Sequence, residues 1–144
     1  MKSPDGRREC STFLRHKKIA LSGKKTTMLY LLNPSERQVE RIEVDGCAIT
    51  EGKRCDWLVR LNDATSNEEI YVELKASHVH HAVEQLRATM ENLSADRAKF
   101  PKRCFIVFNR NPMIGTDVQK YKAQFRQTFR SGLDLVKSNK EVPL

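Results

Sequence analysis

Two apolar segments, CDWLVRL at 55–61 and EIYVELK at 69–75, narrow most sharply what this chain can fold into. Side chains along a strand point alternately to its two faces. Trp57, Val59 and Leu61 therefore form one row, and Asp56, Leu58 and Arg60 the other. In the second segment Ile70, Val72 and Leu74 point into a core, while Tyr71, Glu73 and Lys75 share the opposite face. The linking stretch NDATSNEE at 62–69 is rich in turn formers and short enough for an antiparallel hairpin. Hairpin pairing brings Asp56 toward Glu73 on one face. Charged groups on a strand apolar enough to be central must be paired with each other, with a metal or with solvent, because unpaired buried charge is costly.

The rest of the chain builds around that hairpin. Residues 7–18 read as a short helix with Phe13 and Leu14 on its apolar side, and TTMLYLL at 26–32 as a strand or a helix end, which periodicity does not decide. Ile42 and Val44 alternate with charged residues ahead of the Asp45-Gly46 turn, and CAIT at 47–50 leads into a second turn, Glu51-Gly52-Lys53. Val79, Val83, Leu86, Met90 and Leu93 fall on one face of a helix over about 79–95. CFIVF at 104–108 reads as a fully buried strand. Thr116 is a suitable N-cap for a helix to about Ser131, with Val118, Tyr121, Phe125 and Phe129 inward and Lys120, Lys122, Arg126 and Arg130 outward. Gly132 is expected to end that helix, and LDLV at 133–136 to form a last short strand. The expected fold is α/β, a mixed central β-sheet flanked by helices, in a single domain over 1–144.

Charge bears on partners. The net charge is +8, unevenly distributed. Residues 7–25 carry seven Lys/Arg against one acid, and residues 97–130 nine against one, whereas residues 36–96 carry seven against thirteen acids. An acidic middle between basic flanks suits a metal site inside a phosphate-binding surface, although solvated basic faces also occur without a partner. No apolar run approaches the roughly 20 residues that span a bilayer, and the start of the chain lacks the apolar block of a secretory signal. A cytoplasmic protein with no membrane partner is expected. Its four cysteines, Cys10, Cys47, Cys55 and Cys104, are then read as thiols rather than as two bridges. Without a CxxC pair, structural zinc has little support.

Two carboxylates that approach closely repel unless a cation lies between them, and oxygen-only ligation favours Mg²⁺ or Mn²⁺. Lys75 beside such an ion could orient an attacking water or neutralise charge on a phosphoryl oxygen. The plain alternative is a solvated strand face on which Glu73 and Lys75 make cross-strand ion pairs.

An Asp at a strand start, Glu-x-Lys with its Glu 17 residues later in the next strand, and a helix directly after resemble the PD-(D/E)XK nuclease superfamily over residues 40–110. The resemblance implies a restriction-endonuclease-like α-β-β-β-α-β core. It also implies metal ligation by Asp56, Glu73 and the carbonyl of Leu74, help to the attacking water from Lys75, and a helix residue, Gln85, reaching the site. The implied activity is Mg²⁺- or Mn²⁺-dependent hydrolysis of phosphodiester bonds in DNA or RNA; a homodimer would let so small a chain reach both strands of a duplex. Cys55 stands where the motif has proline. A further acid on a preceding helix has no clear match: Glu9, Glu43, Asp45 and Glu51 are all candidates. The alternative is an inactive member of the same fold that binds nucleic acid, acts as a scaffold or neutralises a toxin.

Other signals are weaker. His78 and His81 stand three apart near a helix start without further ligands at zinc spacing. SGKKTT at 22–27 lacks the first glycine of a phosphate-binding loop.

Overall fold

The computed structural model describes residues 9–23, 27–62, 67–74, 78–94, 101–109 and 117–144. Four strands come first: β1 (Ser11–Leu14), β2 (Lys18–Ser22), β3 (Met28–Leu32) and β4 (Val39–Glu43). The hairpin follows as β5 (Trp57–Asn62) and β6 (Asn67–Leu74), then α1 (Val79–Leu93), β7 (Lys102–Phe108), α2 (Val118–Phe129), β8 (Ser131–Lys137) and β9 (Lys140–Pro143). Six strands form a mixed sheet in the order β1-β4-β5-β6-β7-β8, and β2, β3 and β9 form a second, smaller sheet. The mixed α/β class expected from the sequence is present.

The pairing pattern explains where the helices lie. The steps β1–β4–β5–β6 are antiparallel, whereas β6–β7 and β7–β8 are parallel. Parallel neighbours need a crossover, and α1 and α2 are those crossovers. Both helices cover one face of the large sheet, where Val83, Leu86, Met90, Phe125 and Phe129 pack with Leu58, Tyr71, Cys104 and Ile106. The other face meets the small sheet, where Val59, Ile70, Val72 and Phe105 pack with Ile19, Leu21, Leu29 and Leu31. Expectation placed helices around the sheet; the structure puts them on one side and a second sheet on the other. Both faces of β6 are therefore covered over Ile70–Val72, so Tyr71 is as buried as Ile70.

The beginning of the chain corrects the expected helix over 7–18. Ser11 pairs with Ile42 and Leu14 with Val39 as an edge strand, so non-local pairing overrides local propensity. Phe13, expected on an apolar helix side, is instead 61% exposed on this edge. No helix is described before β4, so the leading helix of the expected α-β-β-β-α-β order is absent among the described residues. Cys47 and Ala48 of CAIT belong to the first turn. Residues 45–49 form a tight turn closed by the Ile49 N–H to the Val44 carbonyl at 3.0 Å, with Gly46 at φ 80°. At the other end, α2 stops at Phe129 because Arg130 takes the left-handed conformation, and Gly132 lies inside β8. Thr116 falls outside the described residues.

The cysteines are also corrected. Cys10 and Cys47 are disulfide-bonded, tying the chain before β1 to the turn after β4, while Cys55 and Cys104 are free and buried. Local sequence offered no sign of this pairing, which depends on β1 docking beside β4. Unreduced protein, unfolded in denaturant, should therefore react with maleimide at Cys55 and Cys104 only. Reduction should lower stability by about 2–4 kcal/mol. Labelling of all four cysteines before reduction would refute the bridge.

Candidate active site

Asp56, Glu73, Leu74 and Gln85 line one cavity of about 300 Å³, together with Asp45, Gly52 and Arg54. Hairpin register explains the first two. Trp57 pairs with Val72, so the next step of the antiparallel ladder sets Asp56 against Glu73 on the helix-covered face. One oxygen of Asp56, Oδ2, accepts the Leu74 N–H at 2.7 Å, just past the last β5–β6 pair, Trp57 with Val72.

The loop from β4 to β5 brings in the remaining wall. Helix α1 clamps it twice: Gln85 Oε1 accepts the Arg54 N–H at 3.2 Å, and Thr89 Oγ1 accepts the Cys55 N–H at 2.7 Å. Thr89 in turn donates to the Gln85 carbonyl at 2.8 Å. This anchoring fixes the backbone immediately before Asp56. Gly52, at φ 82°, allows the turn that precedes it, a conformation other residues rarely adopt. The Cys55 thiol, next to Asp56 in the chain, is buried and held well above its ordinary pKa by desolvation. It therefore stays a neutral core group.

Glu73 is the electrostatic centre. Burial, the adjacent Asp56 carboxylate that hydrogen-bonds to it, and the charge of Asp45 push its pKa up to about 9. Two carboxylates crowded without a compensating cation behave in this way. Without metal, folded Glu73 holds a proton that the unfolded chain releases near the ordinary carboxylate value. Stability must therefore fall as pH rises from the ordinary value toward about 9. Urea midpoints measured in chelator across that window should decline more steeply for the wild-type protein than for Glu73→Gln. Parallel declines would contradict this electrostatic picture.

Of the four candidate upstream acids, the structure brings Asp45 to the cavity. Its Oδ1 accepts from Arg54 Nε at 2.7 Å. Glu43 sits in β4 opposite Trp57, and neither Glu9 nor Glu51 lines the cavity. Lys75 lies outside the described residues. Among the described residues no group of three or more His, Cys, Asp or Glu stands arranged to hold a metal ion. The histidines do not converge: His78 and His81 are exposed, and His80 Nδ1 lies 2.7 Å from the Tyr121 hydroxyl.

Arg54 is the residue that sequence reading missed. The signal was its place two residues before Asp56, which puts both side chains on one side of an extended segment. Nor is every basic residue of the flanks free for phosphate. Lys102 is buried and donates to the Phe129 carbonyl at 3.2 Å, and Arg103 lies against the Phe105 ring. Lys120, Arg126 and Arg130 are exposed, as are Arg15, Lys17 and Lys18. No protein-family model matches the chain, and neither curated proteins nor solved structures include a match to it. No described helix is long and apolar enough to cross a membrane.

Proposed function

We propose that this chain is a Mg²⁺- or Mn²⁺-dependent nuclease that hydrolyses phosphodiester bonds in DNA or RNA at the Asp56–Glu73 cavity. One observation carries the reading: two carboxylates, Glu73 in β6 and Asp56 just before β5, meet in a single cleft, and Asp56 helps to hold the charge of Glu73 down. A proton satisfies that pair at neutral pH, and a divalent cation would satisfy it better. The donor set fits a hard ion. Asp56 and Glu73 would hold it with the Leu74 carbonyl, and Asp45 lines the same cavity. The bound ion would supply Lewis-acid stabilisation of the phosphoryl group and a more acidic water.

The protein's own residues do the rest. Leu74 N–H fixes the Asp56 carboxylate, and α1 fixes the loop before it through Gln85 and Thr89. Lys75, next along the chain, is assigned to the attacking water. Exposed Arg and Lys of the basic flanks would gather the polyanion, with a homodimer engaging a duplex from both strands. Restriction-endonuclease-like architecture and a cytoplasmic location belong to this proposal. A Cys10–Cys47 bridge is commoner in oxidising compartments and is the feature most at odds with that location.

A second reading has specific support. Asp45 is engaged by Arg54, and Asp56 gives one oxygen to the backbone, so no three-acid group stands ready among the described residues. That arrangement suits an inactive member of the same fold acting as a nucleic-acid-binding, scaffold or toxin-neutralising protein. Calorimetric titration with Mn²⁺ separates the two. Binding that disappears in Glu73→Gln supports the nuclease. No binding, with nucleic acid still retained on a column, supports the alternative.

A further inference from the structure

We propose that Arg54 is the resident counter-ion of Asp45, the third acid lining the cavity, and sets the threshold for cation uptake. Its guanidinium holds Asp45 until a divalent ion takes that acid over. This inference rests on the reading of the cavity as a divalent-cation site.

Three contacts define the residue's position. The main-chain N–H of Arg54 is fixed by Gln85 Oε1 at 3.2 Å, so the side chain always starts from the cavity wall. Its Nη1 donates to the Gly52 carbonyl at 2.7 Å, which aims the guanidinium back along the loop. From there Nε donates to Asp45 Oδ1 at 2.7 Å. Arg54 and Asp45 line the same cavity as Asp56 and Glu73.

The energetics suit a displaceable contact. Side-chain exposure is 28% for Arg54 and 42% for Asp45. Ion pairs this wet are weak and easily exchanged, unlike a pair sealed in the core. A divalent ion concentrates twice the charge of a guanidinium and binds carboxylate oxygens directly. It would therefore win Asp45, and the freed guanidinium would remain tethered at the cavity wall. Arg54 is thus a positioning residue: it acts through Asp45 and through competition for negative charge.

The test is Mn²⁺ titration calorimetry on the full chain, comparing wild type with Arg54→Gln and Arg54→Lys. Removing the competing cation should tighten Mn²⁺ binding about fivefold in Arg54→Gln, while Arg54→Lys, which keeps the charge, should stay near wild type. A purely structural role would not make binding tighter. Mn²⁺ binding in Arg54→Gln equal to or weaker than wild type would overturn the proposal while leaving the metal site standing. Absence of Mn²⁺ binding in wild type and both variants would remove the metal site itself, and the proposal with it. Circular dichroism reports whether the variant folds. Should it not, Asp45→Asn tests the exchange from the other side: Mn²⁺ affinity should fall, and unchanged affinity would overturn the idea that Asp45 is handed to the ion.

Discussion

Glu73→Gln should reduce Mn²⁺-dependent cleavage of nucleic acid by about a thousandfold or more, on the order of 4 kcal/mol in barrier height. The substitution keeps the size and shape of the side chain and removes only its ability to carry charge. Glu73 faces Asp56 in a half-buried position, and its elevated pKa arises from desolvation and from the neighbouring acids. Glutamine cannot ionise, so it should relieve the crowding in the metal-free protein and leave stability unchanged or slightly higher at neutral pH. Activity and stability are thus expected to move in opposite directions. Asp56→Asn provides the contrast. It removes a charged acceptor from the Leu74 N–H as well as a ligand, and should lower both activity and stability. Gel-based cleavage assays with Mg²⁺ and Mn²⁺, paired with thermal melts of the same preparations, measure both quantities. Retained cleavage in a folded Glu73→Gln protein would end the nuclease assignment.

The largest stability effect is expected away from the cavity, at Arg60. This residue shares the helix-covered face of β5 with Asp56 and lies opposite Glu69 in the hairpin. Glu69 is only 5% exposed, yet its carboxylate is fully engaged. Arg60 Nε donates to Oε2 at 3.0 Å, while the Ser94 and Tyr71 hydroxyls donate to Oε1 at 2.7 and 3.1 Å. Arg60 Nη2 also donates to the Leu93 carbonyl at 2.5 Å, satisfying an orphan acceptor at the end of α1. The network therefore fastens the far end of α1 to the hairpin whose near end carries the candidate site. Arg60→Met should strand the Glu69 carboxylate without its cation and cost about 3–5 kcal/mol. For a chain of this size that corresponds to a fall in Tm of roughly 10 °C or more. Adding Glu69→Met should restore much of the loss, because a well-packed apolar pair avoids the desolvation that the ions incur. Thermal and urea unfolding of the single and double variants measures the coupling. A single variant within about 0.5 kcal/mol of wild type would mean the ion pair is as dispensable as a surface one.

Much of the centre of the molecule is written in short-range patterns. The two-residue alternation of CDWLVRL and EIYVELK specifies the hairpin strands and puts Asp56 and Glu73 on one face, because a strand's side-chain period cannot be shifted without inverting every residue. The three-and-four spacing of Val79, Val83, Leu86 and Met90 likewise specifies the buried side of α1. Those periodicities depend on neighbours within one element, so the sequence alone determined them. Tertiary structure decided everything that joins distant segments. Ser11–Leu14 becomes an edge strand because β4 offers it a partner, Cys10 then reaches Cys47, and β9 completes the small sheet by pairing with β3 from the opposite end of the chain. Among Glu9, Glu43, Asp45 and Glu51, only the path of the loop after Gly46 and its anchoring to α1 brought Asp45 to the cavity, with Arg54 beside it. Sequence spacing fixes which way a side chain faces within its own element. It carries no record of which remote backbone will dock alongside, since that choice comes from the free energy of the packed whole.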